Sequence, residues 1–181
     1  MSNNLHPEIN IRDVADTDLP AIQAIYADQV LHGVSSWEET PPDLAEITRR
    51  RDAIVAAGYP YRVAVRDNEV IGYAYASTYR PRPAYRYTVE NSIYISTTAQ
   101  RSGCGGVLLK DLIDQCTALG YRQMIAVIGD SNNAMSIDFH KKMGFQMIGT
   151  VSSIGYKFNQ WLDSVIMQLP LGEGEKTPPT S

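Results

Sequence analysis

The sequence predicts an α+β fold in which one sheet carries helices on its faces. Segments with the period of strands are interspersed with segments of helical period, in the order β-α-α-β-β-β-α-β-α-β-β. The 181 residues are enough for one domain with a substantial core, and 44% of them are hydrophobic against 20% charged, as in ordinary globular proteins. The elements follow from local patterns.

The N-terminal half predicts one strand, two helices and then three strands. Ile9 and Ile11 alternate with polar residues, which indicates a short strand. Thr17 is placed to cap a helix whose apolar face carries Leu19 and Ile22. Asp67-Asn68-Glu69 reads as the turn of a hairpin. The remaining ranges are a loop over 32–42, a second helix over 43–57, and strands over 61–66, 70–79 and 87–96.

The C-terminal half predicts two helices and three strands. A glycine-rich stretch, 100–106, opens a helix from about Gly105 to Leu119, which Gly120 ends. The β-branched run 123–129 is typical of a buried strand. The other elements are a helix over 134–143 and strands over 146–154 and 163–169. We expect one domain over residues 9–170, with flexible polar tails at 1–8 and 171–181.

Charge and cysteine content argue against several classes of protein. The formal net charge of −4 gives no basic surface for nucleic acid. The sequence has no apolar run long enough for a membrane span and no signal-peptide core at its start. Cys104 and Cys116 suggest neither a disulfide framework nor a zinc site. We therefore expect a cytoplasmic protein without a metal, and neither nucleic acid nor a membrane as partner.

The stretch QRSGCGG, 100–106, is a candidate anion site. A helix begins with free N–H groups and partial positive charge, and glycine lets a phosphate approach the backbone closely. The stretch follows a strand and opens a helix, but it matches neither the Walker A loop nor the dinucleotide fingerprint. A plain glycine-rich turn between strand and helix is the alternative.

A set of separated motifs carries a family resemblance. Gln100-x-x-Gly103-x-Gly105 matches the Q/R-x-x-G-x-G/A motif of the GCN5-related N-acetyltransferases (GNAT), and the stretches Asn133–Ser136 and 139–145 resemble the family's second signature. The chain departs from the usual pattern in having Arg101 and Ser102 where the family commonly has glycine and then a basic residue. Five stretches narrow the resemblance to the phosphinothricin and methionine sulfoximine acetyltransferase branch: 37–42, 72–77, 79–95, 126–129 and 155–163.

The resemblance implies the GNAT fold, with a mixed, mostly antiparallel sheet flanked by helices, and a homodimer. It also implies acetyl-CoA as co-substrate, with its pyrophosphate on the glycine-rich stretch. In the family the strand before that stretch separates from its neighbour and offers backbone N–H groups to the pantetheine arm and the thioester. The residues implied in cofactor binding are Ile93, Tyr94, Ile95, Arg101, Ser102, Gly103, Cys104, Gly105, Gly106, Asn133 and Ser136. For Asn133 and Ser136, ordinary helix capping is the alternative.

Acetyl transfer to an amine needs a base, because a primary amine is mostly protonated at neutral pH. Glu90, in an otherwise uncharged strand, is the candidate base, acting through a water; a carboxylate facing solvent on an edge strand is the alternative. His140 lies where many acetyltransferases place a tyrosine. It could protonate the leaving thiolate as an imidazolium, orient the cofactor, or be only a satisfied polar residue on a helix. Cys104 shows no sign of being a covalent nucleophile.

The acceptor pocket is expected around Arg80 and Arg82, which flank Pro81 and could clamp a carboxylate or phosphinate; a solvated basic loop is the alternative. Trp37 and Glu38 would form the opposite wall, although Trp37 could equally be a packing residue. Further residues placed near the acceptor are Tyr85, Glu90, Asn91, Ser92, Gly129, Asp130 and Ser131. Lys157 and Trp161 match the branch near the same end of the site.

Three functional hypotheses follow. The first is an acetyl-CoA-dependent enzyme that acetylates the α-amino group of phosphinothricin, methionine sulfoximine or methionine sulfone by direct transfer in a ternary complex. The second keeps the enzyme class but takes another amine, such as a peptide N-terminus or a polyamine; Arg80 and Arg82 argue against a polyamine because like charges repel. The third is a CoA-binding module without turnover.

Overall fold

The structure, a computed structural model, describes residues 8–179. The four helices are α1 (Leu19–His32), α2 (Leu44–Ala56), α3 (Cys104–Ala118) and α4 (Ala134–Lys142). The strands are β1 (Asn10–Asp13), β2 (Tyr61–Arg66), β3 (Glu69–Thr78), β4 (Thr88–Ile95), β5 (Gln123–Gly129), β6 (Gln146–Lys157) and β7 (Gln160–Pro170). The predicted order of elements is confirmed along the described chain.

The seven strands form one sheet in the order β1-β2-β3-β4-β5-β7-β6. Every neighbouring pair is antiparallel except β4 and β5. The α3 crossover connects these two strands, as a parallel pair requires. The sheet is therefore mixed and mostly antiparallel, as the sequence predicts, and its one parallel contact lies at the centre.

The sheet separates two hydrophobic cores. On one face, α3 buries Leu108, Leu109 and Leu112 completely in the larger core, and Ile137 of α4 joins the same core. On the other face, α1 and α2 cover a smaller core in which Tyr61 and Tyr73 stack at 5.9 Å between ring centroids. Because side chains alternate along a strand, successive residues of β4 point into different cores.

Two-residue turns with left-handed backbone close both hairpins. Asp67 and Asn68 have φ of 52° and 64°, and Phe158 and Asn159 have φ of 52° and 57°. Positive φ at both positions matches the right-handed twist of the flanking strands. The first hairpin is confirmed. For the second hairpin, the predicted strand limits of 146–154 and 163–169 are too short. The first strand extends to Lys157 and the second begins at Gln160, and the turn between them has no glycine to mark it.

The N-terminal cap of α1 also differs from the expectation. Asp18, rather than Thr17, occupies the cap position, after a single 3-10 turn over Asp16–Asp18. Its carboxylate accepts a hydrogen bond from the backbone N–H of Ala15 at 2.7 Å and an ion pair from Arg12 at 2.6 Å. A carboxylate with two such partners orders this turn better than a threonine hydroxyl could.

The segment after β7 has two buried residues, Leu171 and Gly174, while residues 175–179 are exposed, so the expected flexible tail at 171–181 stays a prediction. Leu171 is buried in the larger core, and Arg122 donates to the Thr177 hydroxyl at 3.0 Å and to the Pro178 carbonyl at 2.9 Å. The predicted tail at 1–8 lies almost wholly outside the described residues, as do residues 180–181. Within residues 8–179, no helix is long and apolar enough to cross a bilayer.

Candidate active site

A cleft of about 210 Å³ opens where β4 and β5 separate. Their parallel pairing ends at Asn91 and Ala126; beyond it, β4 pairs only with β3 and β5 pairs only with β7. The backbone of β4 past Asn91 thus faces an opening on one side. The cleft brings together ten predicted site residues: Trp37, Glu90, Asn91, Ser92, Ile93, Tyr94, Gly129, Asn133, Ser136 and His140.

Glu90 lies in the interior of the sheet at the base of this opening. Its Cα pairs with Ser77 of β3 on one side and Ile125 of β5 on the other, so the alternative of an edge-strand carboxylate is wrong. Burial raises the pKa of Glu90, and no other cause contributes. Among the described residues, no lysine or arginine forms an ion pair with it. A part-buried carboxylate without a cation is a stronger base than an exposed one.

His140 and Asn91 form a pair on the α4 side of the cleft. The His140 Nδ1–H donates to the Ser136 carbonyl at 2.9 Å, and Asn91 Nδ2 donates to His140 Nε2 at 3.3 Å. His140 is only 3% exposed, and burial lowers its pKa although the Ser136 carbonyl opposes this shift. The arrangement favours a neutral ring with both nitrogens occupied. It therefore speaks against the imidazolium expected as proton donor and favours an orienting function.

The mouth of α3 has the geometry of an anion site. Gly103 is the N-cap residue with φ of +83°, a conformation that favours glycine, and no side chain caps the helix. The Gly106 and Val107 N–H groups donate to the Gly103 carbonyl at 3.1 and 3.3 Å, so the N–H groups of Cys104 and Gly105 are the ones left for an anion, and the helix dipole adds partial positive charge. An added Cβ at Gly106 would meet no atom within 4 Å, so the approach to this turn is open.

Other residues of the glycine-rich stretch have structural contacts of their own. The Ser102 hydroxyl donates to the Ala99 carbonyl at 2.6 Å, and Arg101 adopts φ of 60° on the surface. The Cys104 side chain is buried, which raises its pKa to about 11 and makes the thiol a poor nucleophile. A Cβ at Gly105 would lie 3.3 Å from the Phe139 ring, so this glycine lets α3 pack against α4. Cys104 and Gly105 can therefore contribute only backbone groups to the anion site, and no side chain.

Asn133 and Ser136 line the cleft, and Asn133 is also the N-cap residue of α4. The Asn133 side chain accepts a hydrogen bond from the Ser136 N–H at 3.2 Å and donates to the Gly129 carbonyl at 3.1 Å. The capping alternative is therefore correct as a description of these contacts. Because both residues line the cleft, their expected contact with acetyl-CoA stays a prediction.

Trp37 forms one wall of the cleft, on the loop that follows α1. Its ring lies against two glycines, Gly129 at the end of β5 and Gly155 in β6; an added Cβ at Gly155 would lie 2.7 Å from the ring. Glu38 is turned away from the cleft lining. It accepts hydrogen bonds from Arg50 at 2.5 Å and from the Tyr26 hydroxyl at 2.8 Å, and the Arg50 guanidinium lowers its pKa. Glu38 thus supports the loop from behind.

Arg80, Arg82 and Tyr85 lie outside the cleft lining, on the exposed segment between β3 and β4. Arg80 lies over the Tyr79 ring at 5.3 Å, and Tyr85 contacts the same ring edge-on at 5.7 Å. The described residues offer no carboxylate partner to either arginine. The segment leaves β3 after Thr78, whose Cα pairs with the neighbour of Glu90 in β4, so both arginines are attached at the Glu90 end of the cleft.

Asp130 and Ser131 act as structural groups rather than lining the cleft. The Asp130 carboxylate accepts from the Asp163 N–H at 2.9 Å and from the Asn132 side chain at 3.0 Å, contacts that lower its pKa. The Ser131 hydroxyl donates to the Asp163 carboxylate at 2.5 Å. Both side chains hold the end of β5 against β7. Of the three residues predicted here, Gly129 alone borders the cleft.

Some residues of the cleft have no obvious sequence signal. Ser35 and Ser164 line it because of tertiary packing, whereas 126–128 belongs to a stretch that carries the family resemblance. Lys157 is different, since it is a lysine within an otherwise aromatic stretch and is only 4% exposed. Charged residues are rarely that buried without a specific partner. The lysine between aromatic residues is visible in the sequence, but its burial is seen only in the structure.

The split sheet, the open helix N-terminus and the part-buried carboxylate are together what an acyl-CoA-dependent N-acetyltransferase requires. The family model described as "Acetyltransferase (GNAT) domain" matches residues 11–166. The chain belongs to the GNAT family.

Relatives place the chain in the expected branch of this family. A phosphinothricin N-acetyltransferase of Alcaligenes faecalis is 48% identical over 93% of this chain and 86% of its own length. An L-methionine sulfoximine/L-methionine sulfone acetyltransferase of Pseudomonas aeruginosa is 41% identical over 93% of this chain and 98% of its own. The crystal structure of a phosphinothricin acetyltransferase from Sinorhizobium meliloti with acetyl-CoA superposes with a TM-score of 0.92, at 48% identity, covering 96% of this chain and 94% of that one.

Proposed function

We propose that the protein transfers the acetyl group of acetyl-CoA to the α-amino group of a small amino-acid-like acceptor: phosphinothricin, methionine sulfoximine or methionine sulfone. The observation that carries the proposal is Glu90, a part-buried carboxylate with a raised pKa at the point where β4 and β5 separate. The acceptor class is supported by the Alcaligenes and Pseudomonas relatives, which are acetyltransferases for those compounds.

In this proposal Glu90 takes a proton from the acceptor's ammonium group, directly or through one water. The free amine then attacks the acetyl carbonyl carbon, so a C–N bond forms and the C–S bond breaks in one ternary complex. The proton on Glu90 is returned to solvent, and the thiolate is protonated by water or by the amide-forming nitrogen. The buried pair of His140 and Asn91 keeps the α4 wall of the cleft in place during this exchange.

Acetyl-CoA fits the described groups along the α3 and α4 side. The pyrophosphate would accept hydrogen bonds from the N–H groups that follow Gly103, and Arg101 could add a positive charge nearby. The open side of β4 at residues 93–95 would pair with the amides of the pantetheine arm, as a further strand would. The cofactor supplies the activated acetyl group. Arg80 and Arg82 would hold the acidic group of the acceptor at the other end of the cleft.

A homodimer is part of the proposal. The edge strand β6 and the start of β7 expose many large apolar side chains: Met147, Ile148, Val151, Ile154, Tyr156, Phe158 and Trp161. A long, apolar edge strand is a poor surface for an isolated chain, and a second copy would cover it. Sedimentation at micromolar concentration measures this directly; a monomer would contradict the dimer.

Two free buried cysteines and the net charge of −4 support a cytoplasmic location without nucleic acid or membrane as partner.

The decisive experiment measures free-thiol release from acetyl-CoA with a panel of acceptors. We expect release with phosphinothricin, methionine sulfoximine and methionine sulfone that exceeds the rate without acceptor, and little release with a polyamine or a short peptide. Mass spectrometry of the product checks that the acetyl group is on the α-amino nitrogen. Release confined to the polyamine or the peptide would contradict the proposed amino-acid-like acceptor. No release with any acceptor would contradict the proposal that the protein is an acetyltransferase of these compounds.

A further inference from the structure

Lys157 is a buried lysine whose contacts have no place in the reaction described above. It stands at the end of β6, and its ammonium donates to the Gly33 carbonyl at 3.0 Å and to the Ser36 carbonyl at 2.7 Å. The ammonium also lies 4.8 Å from the centroid of the Phe158 ring. All of its polar contacts are therefore with the loop 33–38, which is more than a hundred residues away along the chain.

The loop 33–38 begins at the C-terminus of α1, where Gly33 is the C-cap residue. The last carbonyls of a helix lack intrahelical partners and carry partial negative charge. A buried ammonium satisfies two carbonyls at once and complements that charge, which explains why a lysine is tolerated in this place although burial lowers its pKa.

The same loop carries Trp37 into its slot between Gly129 and Gly155. An added Cβ at Gly129 would lie 2.8 Å from the Val34 carbonyl, and one at Gly155 would lie 2.7 Å from the Trp37 ring. Both distances are too short for a real carbon, so only glycine leaves room for the loop and its tryptophan. The slot positions the ring from the side of the sheet, and Lys157 holds the backbone on either side of Val34 and Ser35.

We propose that Lys157 is a positioning residue that sets the acceptor wall of the cleft, by holding the loop 33–38 so that Trp37 lines the same cleft as Glu90. That this wall binds the acceptor rests on the proposed function; that Lys157 contacts the loop rests on geometry alone. It predicts that loosening the loop damages acceptor binding while acetyl-CoA binding, on the α3 and α4 side, is preserved.

The test uses Lys157→Met, which keeps much of the side-chain volume and removes the donors, and Lys157→Arg, which restores donors and charge. Lys176→Met, an exposed lysine in the C-terminal segment, is the matched control. We expect the acceptor KM to rise about 10- to 100-fold in Lys157→Met, since small misplacement of a binding wall has effects of this size. The KM for acetyl-CoA should change little, Lys157→Arg should recover part of the loss, and the control should match the wild type.

A second readout is independent of activity. The protein has two tryptophans, Trp37 and Trp161, and Trp161 is 66% exposed. In a Trp161→Phe background, the fluorescence therefore reports Trp37 alone. We expect Lys157→Met to shift its emission to longer wavelength, as the ring leaves the slot. Gly155→Ala, which pushes the ring directly, is the positive control for this shift. If Lys157→Met fails to fold, Lys157→Arg carries the same two measurements, and an unchanged Trp37 emission together with an unchanged acceptor KM would again overturn the positioning role.

The outcomes separate the two proposals. A folded Lys157→Met with unchanged Trp37 emission and unchanged acceptor KM would overturn the positioning role. Equal losses in acceptor and acetyl-CoA binding would also overturn it, because a general structural defect predicts that result. If the wild type acetylates no acceptor, the proposed function fails, while the emission measurement still decides whether Lys157 holds Trp37.

Discussion

Replacing Glu90 by glutamine tests the chemistry with the least change in shape. Glutamine fills the same volume but cannot take up a proton at neutral pH. Removal of a general base typically lowers a rate by about 10²–10⁴, which is about 3–5.5 kcal/mol in the activation free energy. We expect kcat for acetyl transfer to fall within this range while the KM for acetyl-CoA stays close to the wild-type value.

The structure also predicts the effect of Glu90→Gln on stability: the substitution lowers activity but should not lower the melting temperature. Because burial raises the pKa of Glu90 above its ordinary 4.5, the folded state disfavours the ionised form. A raised pKa means that stability present below the unfolded-state pKa is lost as pH rises through the folded-state pKa. At neutral pH the wild type therefore bears a desolvation cost that Glu90→Gln lacks. We expect the variant to melt at the same temperature as the wild type or at a higher one.

The assay is thiol release as a function of pH, from about pH 5 to about pH 9, beside thermal melts at each pH. Wild-type kcat/KM should rise with pH through a midpoint above 4.5, and Glu90→Gln should lack this limb. Glu69→Gln, an exposed glutamate at the start of β3, is the control and should leave both profiles unchanged. A Glu90→Gln variant with the wild-type rate and pH profile would refute the assignment of the base.

Two further variants test the ends of the cleft. The double variant Arg80→Ala, Arg82→Ala should raise the KM for a carboxylate-bearing acceptor about tenfold or more, because charge-assisted hydrogen bonds are lost, and should leave the KM for acetyl-CoA unchanged. The control is Arg86→Ala, which removes a guanidinium that lies over the Tyr87 ring. An unchanged acceptor KM in the double variant would exclude the clamp. Gly103→Val should weaken acetyl-CoA binding, measured by calorimetry, because valine disfavours φ of +83°. Gly58→Val, with φ of +81° at the far end of α2, should show a similar stability loss with normal acetyl-CoA affinity; equal affinities in both variants would argue against the anion site.

Local patterns were sufficient to predict the elements, because apolar periodicity and glycine stops act over a few residues. The family resemblance placed Glu90 in the cleft, where the structure has it, whereas its placing of the glycine-rich stretch on the same cofactor stays a prediction. The tight turn at Phe158 and Asn159 was missed because Phe158 is not a usual turn former and no glycine follows Asn159 to mark the pair. The relation between Lys157 and the loop 33–38 was missed for a different reason: it joins segments that are distant in the chain, and no local rule links them.

The separation of β4 and β5 also has a mechanical consequence. The sheet consists of two leaves, β1 to β4 and β5 to β7, and the seam between them is a parallel pairing of only four residues on each strand, Thr88–Asn91 and 123–126. A short seam resists twisting and shear less than the longer antiparallel contacts within each leaf. A ligand that fills the gap and contacts both β4 and β5 would join the two leaves, so it would stiffen the whole sheet and not only its own binding site.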